Sequence, residues 1–111
     1  MFQRHNRCRG LRVWKWGRWQ VELWFCPRGE HIEPHVHKKI DSTIFFIAGH
    51  MTGRIQERIG NLDWPADSFR RFDIPAGVEH EARIGSFCIF ANFERWKSDD
   101  VTSACDDFTA V

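Results

Sequence analysis

Several things are missing from this sequence, and each absence narrows the reading. No uninterrupted apolar run exceeds five residues, as in Ile44 to Ala48, far short of the roughly 18 that a membrane-spanning helix needs. No excess of one charge exists: sixteen Lys and Arg face fifteen Asp and Glu. A dedicated nucleic-acid binder normally carries a basic surplus, so nucleic acid is not an expected partner. Cys8, Cys26, Cys88 and Cys105 form no CxxC pair, which argues against a zinc knuckle. They read instead as reduced, buried, small apolar side chains in a cytoplasmic protein. The N-terminal arginines have no apolar stretch behind them, unlike a signal peptide. Repeats and low-complexity tracts are absent.

Tyrosine is absent too, yet ten Phe and six Trp occur in 111 residues. Sixteen rigid rings supply enough apolar area for one small domain to build a core unaided. Charge is unevenly placed. Residues 1–21 hold Arg4, Arg7, Arg9, Arg12, Lys15 and Arg18 and no acid, while residues 97–111 set Lys97 against four aspartates. The expectation is a basic arm with the first strands over 1–18, a barrel over 19–96 and an acidic tail over 97–111. Arm and tail read as solvated; the sharper alternative is that they meet, within one chain or across a dimer.

No stretch of eleven residues shows a convincing 3.6-residue apolar stripe, although 98–108 allows a short terminal helix. Strand periodicity dominates. Trp19, Val21, Leu23 and Phe25 alternate with polar residues, and so do 70–74 and 79–84. Turn residues punctuate them at Pro27-Arg28-Gly29, Gly49, Gly53, Gly60-Asn61, Pro75-Ala76-Gly77 and Gly85. Many short strands at turn-rich spacing predict an all-β sandwich or barrel.

The chemistry lies in the histidines. His35 and His37 are one residue apart, so a strand projects both to one face. Asp41 follows His37 by four residues, and His80 shares a strand face with Ala82 and Ile84. A lone histidine on an apolar face is usually a satisfied core residue; beside a preformed His-x-His it becomes a ligand candidate.

These residues resemble a known family. Gly29, five residues and then His35-Val36-His37, closed by Gly49, is similar to the first motif of the cupins. Pro75-Ala76-Gly77-Val78-Glu79-His80 is similar to their second, over roughly residues 19 to 94. The resemblance implies a cupin-type double-stranded β-helix, a jelly-roll barrel holding a divalent metal. It implies His35, His37 and His80 as ligands, with Asp41 as a possible fourth. The family's acidic ligand has two candidate positions here. Counting back from Gly49 reaches Ser42; counting on from His37 reaches Asp41, and a bulge near Lys39–Asp41 would reconcile them. Phe69 and Ile84 replace the second motif's leading glycine and closing asparagine.

Three imidazoles and a carboxylate suit Fe, Mn, Ni, Zn or Cu alike. His31, His50 and Glu33, with Glu30 beside them, are candidates for acid–base work at the barrel mouth, or else exposed loop residues. If Asp41 faces inward, Thr43, Phe45 and Ile47 do too; a bulge would turn Ser42, Ile44 and Phe46 inward instead. The leading expectation is a metal-dependent enzyme of dioxygenase, isomerase or lyase type acting on a small organic molecule. The alternative is a non-catalytic small-ligand-binding or sensor barrel. Third comes a nucleic-acid contact through Trp14, Trp16 and Trp19 of the arm. The resemblance also implies a homodimer.

Overall fold

The computed structural model describes residues 2–67 and 69–111, and every regular element in them is a β-strand. They are β1 (Phe2–His5), β2 (Cys8–Trp16), β3 (Trp19–Pro27), β4 (His31–Val36), β5 (Ile40–Ile55), β6 (Arg58–Asp63), β7 (Arg71–Ile74), β8 (His80–Trp96) and β9 (Thr109–Ala110). All pair antiparallel in one curled nine-stranded sheet. The path runs β1-β2-β3-β8-β4-β9, and β5 pairs with β6, β7 and β8. This is the all-β double-stranded β-helix expected of the sequence.

Two long strands form the spine. Over its second half β8 pairs with β3, and over its first half with β4, while β5 runs beside nearly all of it. Both pass through glycines that the sequence reading took for turns. Gly49 has φ 106°, and a Cβ there would sit 2.1 Å from the Phe87 carbonyl oxygen. Gly85 lies so close to His50 that a Cβ would approach its Cβ to 2.9 Å. These glycines permit close backbone approach inside a strand; they do not end it. The β5–β8 ladder absorbs the distortion as register shifts between Phe46 and Ala48 and between Gly49 and Met51.

Side-chain alternation fixes the interior. Trp24, Cys26, Phe46, Leu62, Ile84, Cys88 and Phe90 form the main core, and Ile40, Trp96 and Ala104 a second one. Over the first half of β5 the buried positions are Ile40, Ser42 and Phe46, so Asp41, Thr43 and Phe45 point outward. Ser42 therefore stands on the lumen side. Cys8, Cys26 and Cys88 are buried free thiols, whereas Cys105 is half-buried.

The ends of the chain correct the picture of solvated extremes. β1 and β2 are full members of the sheet. Arg18 pairs with Asp99 at 2.8 Å, Arg12 Nη2 donates to the Thr102 carbonyl at 3.0 Å, and the Ser103 hydroxyl donates to Gln3. Arm and tail thus meet within one chain. The tail forms no helix among the described residues. Ser103 ends any periodicity by accepting the Cys105 N–H on its hydroxyl and the Asp106 and Asp107 N–H groups on its carbonyl, a single local turn. The chain then enters the barrel and pairs as β9 with β4. No helix of the described residues is long and apolar enough to cross a membrane.

Candidate metal centre

His35 lies in β4, and His37 follows just after that strand ends. Parity keeps both inside, at 3% and 8% exposure. His80 opens β8 directly opposite His35 in the ladder. The turn before it is docked onto the first motif, because Gly77 N–H donates to the His37 carbonyl at 2.8 Å and Ala76 N–H to the Asp41 carboxylate at 2.8 Å. Gly77 has φ 84°, a left-handed conformation that suits glycine. Both motifs are therefore one assembly, and the ligand atoms of the three histidines lie within 4.8 Å of one another.

Each imidazole is oriented by a backbone carbonyl. His35 Nδ1 lies 2.7 Å from the Glu33 oxygen and His80 Nδ1 2.9 Å from that of Val78, while His37 Nδ1 bonds to the carbonyl of Asp107. A carbonyl can only accept, so each Nδ1 carries the proton and each Nε2 keeps a free lone pair. His35 Nε2 and His37 Nε2 then face each other at 3.2 Å. Two neutral acceptors repel at that distance unless a positive charge sits between them. Two nitrogens bound about 2.1 Å from one tetrahedral ion lie about 3.4 Å apart. The donor set fits a borderline divalent metal.

Burial also keeps the rings neutral. Desolvation, helped by the neighbouring His80, pushes His35 down to about 3 from the usual 6.5. Desolvation pushes His80 down to about 4 and lowers His37, against the pull of their carbonyl partners.

The expected fourth ligand is elsewhere. Asp41 points out of the barrel, accepting the Ala76 N–H and lying 3.6 Å from Lys97 Nζ. β4 ends at Val36 and β5 begins at Ile40, so the break at residues 37–39 reverses the alternation: Ile40 and Ser42 turn inward and Asp41 outward. Ser42 is inside, but its hydroxyl has no hydrogen-bond partner. Among the described residues, the clustered metal donors are three imidazoles alone. The proposed acid–base residues are also spread out. His31 pairs with Glu81 at 2.9 Å, His50 with Asp63 at 2.5 Å and Glu30 with Arg7 at 2.5 Å. Glu33 lies 3.7 Å from His5, and none of these side chains reaches the triad.

Sequence reasoning missed the tail's role. The Phe108 ring stacks on His35 at 4.1 Å with a 16° tilt, and His5 packs against Phe108 at 4.7 Å. The Asp107 carboxylate accepts the Lys38 and Lys39 N–H groups, which fixes the tail beside His37. Nothing in the local pattern marks Phe108; its only signal is one large ring in an otherwise acidic segment. The triad opens on a cavity of about 220 Å³, walled by residues such as Ile44, Phe72, Ile74 and Phe90, with Arg54, Arg58 and Arg70 also lining it.

Comparison with solved structures gives this geometry its context. KdgF from a Halomonas species superposes with a TM-score of 0.77 at 16% identity, over 90% of this chain and 91% of that one. An RmlC-like cupin from Shewanella frigidimarina gives 0.74 at 14%, over 91% and 88%. The chain has the cupin fold. A cupin superfamily protein from Desulfitobacterium hafniense gives 0.69 at 14% identity, over 85% and 82%. No family model and no curated protein matches the sequence. Within the cupin frame, Phe69 stands in the second motif's glycine slot and still adopts φ 62°.

The lowered histidines set a pH dependence. In metal-free protein between about pH 6.5 and 4, the unfolded chain protonates His35 and His80 and the folded chain does not. Stability should then fall on acidification by up to about 1.4 kcal/mol per pH unit for each histidine. Glu94, pushed up to about 10 chiefly by burial, works in the opposite direction. The readout is therefore the difference between wild type and His80→Gln in urea titrations. Wild type should lose more stability from pH 6.5 to 4.5 than the variant, and parallel losses would contradict the assignment.

Proposed function

We propose that this cupin is a metal-dependent enzyme acting on a small organic molecule, with one divalent transition metal held by His35, His37 and His80. The observation that carries the reading is the 3.2 Å approach of two Nε2 lone pairs whose Nδ1 protons are already committed to carbonyls. When bound, a metal there supplies Lewis-acid chemistry, or redox chemistry if it is Fe, Mn, Ni or Cu, with open positions for water or substrate. Dioxygenase, isomerase or lyase work all fit that supply.

The remaining roles fall to the chain. Ile44, Phe72, Ile74 and Phe90 exclude water and hold an apolar body against the triad. Arg58 and Arg70 line the same cavity and offer donors to an anionic group. Phe108 covers one face of His35, restricting approach to the other side. The binding-module reading draws on the absence of a carboxylate from the described histidine cluster. In that reading the same cavity senses or stores its ligand without turnover. The free, buried thiols Cys8, Cys26 and Cys88 accord with a cytoplasmic setting. Arg12 and Arg18 of the arm are engaged by the tail, which weighs against a nucleic-acid contact there.

A homodimer belongs to the same reading. The outer face of β3 and β8 exposes Trp19, Leu23, Phe25 and Phe93 at 38–46%. Asp41, Asp73, Arg71 and Arg95 fringe it with both signs of charge, as a self-complementary contact requires. Light scattering should give twice the chain mass, and Leu23→Glu with Phe93→Glu should give monomers that still bind metal. A wild-type monomer at high concentration would remove the dimer.

The metal prediction is direct. Elemental analysis of purified protein should find close to one transition metal per chain, abolished by His35→Ala with His37→Ala. Asp41→Ala should retain it within about twofold, because that carboxylate faces outward. Full occupancy in the double-histidine variant would overturn the reading.

A further inference from the structure

The inner face of the β3–β8–β5 ladder carries a polar patch that the histidine centre does not use. Gln20, Glu94 and Ser42 stand abreast across the three strands, and Glu22 is paired with Asn92 beside them. Gln20, Glu22 and Glu94 have no exposed surface, and Ser42 and Asn92 are each 5% exposed. Gln20 Nε2 donates to both carboxyls, reaching Glu22 at 3.4 Å, and burial beside Glu22 holds Glu94 well above the usual carboxylate range. Gln20 Nε2, Asn92 Nδ2 and Trp96 Nε1 donate to Glu94 at 2.8, 2.9 and 3.2 Å, and Trp24 Nε1 donates to Glu22 at 3.4 Å. Among the described residues, no cationic side chain forms an ion pair with either carboxyl.

Three further oxygens in the patch have no partner: Gln20 Oε1, Ser42 Oγ and Asn92 Oδ1. Buried acceptors without partners are costly, and so are buried carboxylates without a counter-charge. A proton shared between Glu22 and Glu94 relieves the second cost only. A cation relieves both.

We propose that this patch is a second ion site, taking one hard divalent cation of the calcium class on Glu22, Glu94, Gln20, Asn92 and Ser42. The donors are all oxygens, which select hard cations over the borderline metals that imidazole prefers. Two carboxylates match a double positive charge. Turning either carboxamide about its last torsion exchanges the nitrogen now facing Glu94 for its unpartnered oxygen. Asn92 also lines the cavity of the histidine centre, which gives the ion a route from the lumen.

The test uses Tb³⁺ as the probe, on the full chain. Trp24 and Trp96 hydrogen-bond to the carboxyls, so tryptophan excitation should sensitise emission from one Tb³⁺ per chain, and Ca²⁺ should displace it. Glu22→Gln, which mimics the protonated carboxyl, should weaken binding by about tenfold or more. Ser42→Ala removes one ligand without touching the acid pair and should weaken binding severalfold, which covers a Glu22 variant that fails to fold. His35→Ala with His37→Ala should leave Tb³⁺ binding intact, so loss of the histidine centre does not decide this site. Absence of sensitised emission, or emission unchanged in Glu22→Gln or in Ser42→Ala, would overturn the proposal and leave a proton-sharing pair.

Discussion

Each imidazole of the triad gives its Nδ1 proton to a backbone carbonyl, and the rest of the site follows from that constraint. The carbonyls of Glu33 and Val78 each lie two residues before the histidine they orient, so the adjacent chain supplies both partners. The third comes from Asp107, brought in by the tail. With the tautomers fixed, three Nε2 lone pairs converge in a barrel that resists protonating them. A site of this kind is built for a cation that binds lone pairs.

The tail's part explains why the chain continues past the barrel strands. After Trp96 ends β8, residues 97–107 cross over Ile40 and the arm, held by Arg18, Arg12 and Gln3. Asp107 then caps two N–H groups with its carboxylate and orients His37 with its carbonyl. Phe108 fills the space between His5 and His35. The two ends are thus two halves of one closure, joined among the described residues by the Arg18–Asp99 ion pair and by hydrogen bonds from Arg12 and Ser103.

How much of this was legible in the sequence depends on the range of the interaction. The His35-x-His37 parity, the Pro75-to-His80 turn and the strand alternation are local, and they led to the barrel and to the triad. Asp41 was misplaced because His37 and Asp41 do not share a strand: β4 ends at Val36, β5 begins at Ile40, and the break at 37–39 reverses the parity. Gly49 and Gly85 were misread because glycine serves close backbone approach as readily as it serves turns. Phe108 and His5 were invisible because their contact with His35 joins the two ends of the chain to its middle. The Glu22–Glu94 pair escaped notice as well: each acid sits on an ordinary strand, and only the ladder brings the two strands together.

The central claim is that three imidazole nitrogens, with no carboxylate among them, hold one metal in the lumen. X-ray absorption at the edge of the bound metal tests it most directly, since imidazole rings give characteristic outer-shell scattering. The account predicts three histidine nitrogens at about 2.0–2.2 Å, the remaining positions filled by water-like oxygens, and an unchanged spectrum in Asp41→Ala. A first shell of sulfur or carboxylate oxygen with fewer than three imidazoles, or one altered by Asp41→Ala, would contradict it.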